Sequence, residues 1–104
     1  KDVFINLVGG LKVDDPAADL SILCAIASSF MDKPIDENIV FIGEIGLAGE
    51  VRSISRLGKR LAEVKALGFS GAIVPSASMN EKINKSKLKI YPVTSVRQTF
   101  DILF

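Results

Sequence analysis

Val13-Asp14-Asp15-Pro16-Ala17-Ala18-Asp19, and Ile42-Gly43-Glu44-Ile45-Gly46-Leu47-Ala48-Gly49-Glu50-Val51 followed by Arg56-Leu57-Gly58-Lys59-Arg60, are the stretches that decide the fold of this chain. Asp15 before Pro16 reads as a helix N-cap and the first helical position, because the carboxylate accepts orphan amide protons and proline's missing donor is not needed there. Glycines at 43, 46 and 49 predict a tight strand-turn-strand unit over 44–51. Ser55 is placed to cap a second helix over 56–67. Leu57, Leu61, Val64 and Leu67 would point inward, and Gly68 would be the left-handed stop.

Outward from these stretches, strand and helix patterns alternate. Val3, Ile5 and Leu7 alternate with Asp2, Phe4 and Asn6 before Gly9-Gly10, the pattern of a strand ending in a turn. After Pro16, Leu20, Leu23, Cys24, Ala27, Phe30 and Met31 share a helical face, and Ile22 with Ile26 makes a second apolar stripe. Such a helix is expected to be buried on most sides, its second stripe covered by the domain core or by a subunit contact. Asp32-Lys33-Pro34 ends it, and Ile39-Val40-Phe41-Ile42 reads as a central strand. Ala72-Ile73-Val74 and the run from Leu88 to Tyr91 are two more strands. Thr94 or Ser95 opens a last helix carrying Val96, Phe100 and Leu103. The alternation predicts an α/β (α+β) sandwich, with helices packed on a mixed sheet.

At 104 residues the chain is one domain, long enough to bury about two-thirds of its unfolded surface. One cysteine and no histidine exclude an internal disulfide, a Cys/His zinc cluster and a Ser-His-Asp hydrolase. No apolar run is long enough to span a membrane, and no signal-like segment is present, so a cytoplasmic protein is expected. The chain begins at Lys1 and enters a strand-like run almost at once, as expected of a domain excised from a longer protein. The net charge is only +1, but residues 52–65 carry Arg52, Arg56, Lys59, Arg60 and Lys65 against Glu63. A second cluster, Lys82, Lys85, Lys87 and Lys89, is read as a solvated loop. Cys24 lies in the apolar stripe and reads as a packed small hydrophobe.

The opening stretches resemble the proteolytic domain of Lon-type ATP-dependent proteases, over roughly residues 7–103, and this resemblance implies a ribosomal S5 domain 2-like fold. In that family a serine follows the proline, and the lysine that activates it follows a Gly-Gly-Leu. Here those two places hold Ala17 and Gly58. Ala17 has no oxygen to attack with and Gly58 no amine to act as base, so the resemblance implies vestigial dyad positions and no catalysis by this domain. Asp19 stands where the family has glycine, which predicts a bulky anion at the mouth of the former site.

A degenerate domain of this kind, with Asp15-Pro16-Ala17-Ala18-Asp19 and Arg56-Leu57-Gly58-Lys59-Arg60, is similar to the C-terminal domain of the bacterial RadA (Sms) family of DNA repair and recombination proteins. That resemblance implies a parent with an N-terminal zinc motif and a RecA-like ATPase domain using ATP and Mg, none of them held by this domain. It also implies a self-assembled, hexameric ring acting on branched or single-stranded DNA, with this domain as scaffold and auxiliary DNA-backbone binder. Arg52, Arg56, Lys59 and Arg60 are the candidate DNA contacts, positions 56, 59 and 60 falling on one helical face. With Tyr91 the single tyrosine and no tryptophan, base stacking is not expected. Glu44 and Glu50 are expected to pair with Arg52 or with a neighbouring subunit. Two other readings stand beside this one: a divergent serine-lysine peptidase using Ser21 and Lys59, and an RNA-associated binding module.

Overall fold

Small and β-branched residues at Gly71–Pro75 build the centre of the fold, every one of them buried. In the computed structural model, which describes residues 15–80, 83 and 87–104, this segment (β4) is paired in parallel on both sides. Ile39–Phe41 (β1) lies on one side and Lys89–Val93 (β5) on the other, with Val40 opposite Ala72 and Ile73 opposite Tyr91. The strand and turn read at Val3 to Gly10, and Lys82 and Lys85 of the second lysine cluster, fall outside the described residues.

Side-chain alternation along these strands sorts the apolar residues into two cores. Val40, Ala72 and Val74 meet Leu57, Leu61 and Val64 of α2 (Leu57–Ala66) on one face. Phe41, Ile73 and Val93 meet Leu20 and Cys24 of α1 (Asp19–Met31), with Phe100 and Leu103 of α3 (Val96–Leu103), on the other. The sheet is therefore a middle layer between helices, as the alternating pattern requires.

Among the described residues the three strands of the main sheet are wholly parallel, and antiparallel pairing joins a separate hairpin, Glu44–Ile45 (β2) with Val51–Arg52 (β3), and bridges Glu50 to Ser95. Parallel neighbours need a crossover, and the chain between β1 and β4 supplies one through α2. Among the described residues Ile39–Phe41 bonds one strand only, and β4 takes the middle position.

Asp15 caps the first helical segment as expected, its side chain accepting from the Ala17 amide. Pro16–Ala18 winds as a 3-10 turn before α1 begins, however. The reason is tertiary: the Ala17 carbonyl accepts from Gly43 N–H at 2.8 Å, and Leu20 N–H donates to the Gly43 carbonyl at 3.0 Å. Leu20, Ser21, Cys24 and Ala25 form the buried face of α1, whereas Phe30 is 90% exposed and Ile26 and Met31 are also exposed. Burial on most sides is thus not observed. A 13-residue helix is about 20 Å long and a three-residue strand about 10 Å.

Ser55 does not cap α2. The N-cap is Arg56, in the left-handed region at φ 61°, with no side-chain cap bond. Gly68 is the left-handed stop, at φ 95°. Ser95 caps α3, accepting from Gln98 N–H, while the Gln98 side chain accepts from Thr94 N–H. The hairpin is tied to this junction: Val51 N–H donates to the Thr94 carbonyl and Val96 N–H to the Gly49 carbonyl, both at 2.9 Å. No helix among the described residues is long and apolar enough to cross a membrane.

Candidate functional site

The carboxyl ends of the parallel strands, where open α/β sheets present their ligand crevices, carry a cleft of about 240 Å³. The 3-10 turn supplies Asp15, Pro16 and Ala17, β2 supplies Glu44, the segment after β3 supplies Ser53, Ile54 and Ser55, and α2 supplies Arg60. Ala17, at the serine position of the Lon resemblance, is 2% exposed and packs into the α2-side core.

Asp15 and Arg60 form one wall. Arg60 Nη1 lies 3.0 Å from Asp15 Oδ2, and Arg60 Nε donates to the Ser55 carbonyl at 3.2 Å. The Ala17 amide, more than the guanidinium, holds the Asp15 carboxyl below its ordinary range, against a desolvation that raises it. This pair is 45 residues apart in sequence, and the sequence reading missed it. Arg60 is thus half-buried and paired with Asp15, whereas Arg56 and Lys59 on the same helical face are exposed.

The other basic candidates remain on the surface. Arg52 on β3, Arg56 at the N-cap of α2 and Lys59 in its first turn are exposed. Arg56 and Lys59 stand at a helix N-terminus that no side chain caps. Gly58 is exposed beside them, and a Cβ built there meets nothing within 4 Å.

Ser21 and Lys59 are not brought together. Ser21 is fully buried and its hydroxyl donates to the Phe41 carbonyl at 2.5 Å, whereas Lys59 is exposed; neither lines the cleft. Asp19 does not stand at the cleft either. Its Oδ2 accepts from Ile45 N–H at 3.2 Å, pinning the start of α1 to the hairpin. Glu50 Oε1 accepts from Ala48 N–H in its own turn. Glu44 sits opposite Arg52 in the hairpin register, yet its carboxylate has no ion-pair or hydrogen-bond partner among the described residues. Cys24 is fully enclosed, and burial pushes its thiol up to about 12. No group of three or more acidic, cysteine or histidine side chains that could hold a metal ion occurs among the described residues.

Known proteins match this arrangement of residues. The family model described as "ChlI: Subunit ChlI of Mg-chelatase" matches residues 1–78. The chain is 38% identical over 104 residues to the DNA repair protein RadA of Aquifex aeolicus, covering 100% of this chain and 23% of that protein. It is 40% identical over 98 residues to the RadA of Bacillus subtilis, with 94% and 21% covered. Against the RadA of Escherichia coli the identity is 45% over 82 residues, with 79% and 18% covered. The chain thus spans less than a quarter of the length of these curated relatives. It belongs to the ChlI family and is homologous to the C-terminal region of the bacterial DNA repair protein RadA.

Proposed function

We propose that this domain is a non-proteolytic scaffold and an auxiliary DNA-backbone binder within a RadA-type DNA repair protein. The single observation that carries the DNA part is the exposed pair Arg56 and Lys59 at the uncapped amino end of α2, with Arg52 exposed on β3. Cations beside free amide donors attract phosphate oxygens without reading bases. The scaffold part draws on Ile26, Phe30 and Met31, an exposed apolar stripe that a second copy in a ring would bury. On this reading ATP, Mg and zinc, and the movement of branched DNA, belong to other parts of the parent protein. The absence of an oxygen at Ala17 and an amine at Gly58 supports a domain kept for assembly and not for peptide cleavage.

The test is a gel shift of the full-length protein on branched DNA across a salt series. Arg56→Ala with Lys59→Ala should weaken binding about uniformly across sequences and reduce the slope of log affinity against log salt by about 1 to 2. An unchanged slope sinks the DNA-contact role. Phe30→Asp should lower the oligomeric state in sedimentation, and an intact ring would remove the scaffold role from this face.

A further inference from the structure

Arg56 is held in a conformation that an arginine does not favour. Its φ of 61° lies in the left-handed region, and a non-glycine residue persists there only where its surroundings fix it. Three consecutive carbonyls show what does so. The Ile54 carbonyl accepts from the Ser78 hydroxyl at 3.4 Å, while Ile54 N–H donates to the same oxygen at 2.9 Å. The Ser55 carbonyl accepts from Arg60 Nε at 3.2 Å, and the Arg56 carbonyl from Arg60 N–H at 3.0 Å. Arg60 is anchored in turn, its Nη1 lying 3.0 Å from Asp15 Oδ2, and Asp15 Oδ1 accepts from Ala17 N–H at 2.9 Å.

These braces come from distant parts of the chain. Ser78, which ends a 3-10 turn after β4, is 24 residues from Ile54, and Asp15 is 45 residues from Arg60. A side-chain cap of the kind Ser95 gives α3 would hold a helix start locally, and at position 56 it is given up for a cation.

We infer that Arg60, Asp15 and Ser78 are positioning residues for the phosphate contact of Arg56 and Lys59. They fix the backbone from 54 to 56, from which Arg56 projects and α2 sets out with Lys59, and Arg60 itself does not touch phosphate. This rests on the DNA-backbone reading proposed above. The Arg60 guanidinium is matched by a carboxylate and has two of its nitrogens engaged, so its part is geometric. A cation on a fixed backbone loses less freedom when it meets a phosphate than one on a loose turn.

The experiment is the gel shift of the full-length protein on branched DNA across a salt series, with variants that separate charge from geometry. Arg60→Lys keeps the charge but cannot join the Asp15 carboxylate to the Ser55 carbonyl as a planar fork. It should weaken binding about threefold or more, the worth of one hydrogen bond, with the salt slope unchanged. Asp15→Asn should also weaken binding, although removing an anion would tighten it if charge alone mattered. Ser78→Ala should act in the same direction, and Ser78→Thr should recover most of the loss. As a control, Ile73→Val loosens the α1-side core away from this turn and should bind like the parent.

Parental affinity in Arg60→Lys, tighter binding in Asp15→Asn, or equal losses in Ile73→Val and Arg60→Lys would each overturn the inference. So would a slope lowered by about 1 in Arg60→Gln, the mark of a direct phosphate contact. An unchanged slope in Arg56→Ala with Lys59→Ala brings down the DNA-backbone reading itself. A lowered slope in that double variant, together with any of the four results above, removes the positioning role alone.

Discussion

Arg60 reaches back over 45 residues of chain to put its guanidinium 3.0 Å from the carboxylate of Asp15, joining the second helix to the turn that opens the first. Both side chains are about a quarter exposed, at 24% and 28%, so this is a half-sheltered contact. Asp15 also caps the turn through the Ala17 amide. Losing the cap and the ion pair together, as in Asp15→Ala, should cost about 1–2 kcal/mol in denaturant unfolding.

The same group sets an acid limb. The folded-state pKa of Asp15 is lowered, so its contribution is fully present above the ordinary carboxylate pKa of about 3.9 and is lost as pH falls through the folded value. Stability measured from pH 5 down to pH 2 should fall less steeply in Asp15→Asn than in the parent chain. Equal slopes would show that Asp15 contributes no such linkage.

Gly43 has no room for a side chain. A Cβ there would fall 2.8 Å from Val51 Cγ1, a buried branched side chain with nowhere to move, and Gly43 also bonds both ends of the turn entering α1. Gly43→Ala should destabilise by about 1–3 kcal/mol, read as a lower melting temperature, with Val51→Ala recovering part of the loss.

At the N-terminus of α2 stability and binding should part company. Arg56 holds a left-handed conformation at φ 61° that costs a non-glycine residue about 1 kcal/mol, so Arg56→Gly should stabilise by about 0.5–1 kcal/mol while weakening any DNA contact. Gly58→Ala, with open space around the new methyl, should also stabilise by about 0.5 kcal/mol through helix propensity. Melting curves of both variants check this.

Cys24 should behave as a core residue. With its thiol pushed up to about 12 and no surface exposed, it should resist alkylation at pH 8 in the folded chain and react once denaturant opens the domain. Fast alkylation without denaturant would contradict the packing described for α1.

Local chemistry made much of this architecture readable. Asp15 with Pro16, Gly68 after Leu67, and Ser95 before Val96 each signal a helix end through bonds made within a few residues, and each does so in the structure. Where long-range contacts decide, the reading fell short. Gly43 draws the first turn of the opening helix into 3-10 form. Ser21 is buried with its hydroxyl donating to the Phe41 carbonyl, and Phe30 is left exposed. At the site, Ala17 and Gly58 were legible as positions because they sit in patterned stretches. The cleft beside Ala17 was not, because Asp15, Glu44 and Arg60 come to line it only once the hairpin and α2 have folded against the turn.

The two hydrogen bonds that clip the hairpin to the start of the last helix give that helix a mechanical role. A two-stranded ribbon is marginal by itself, so this one borrows persistence from Thr94 and Val96 at one end and from Asp19 at the other. Amide exchange in the ribbon should therefore keep pace with exchange in the helix. A partner that grips or frees the final turns would tighten or loosen the cleft from the far end of the chain.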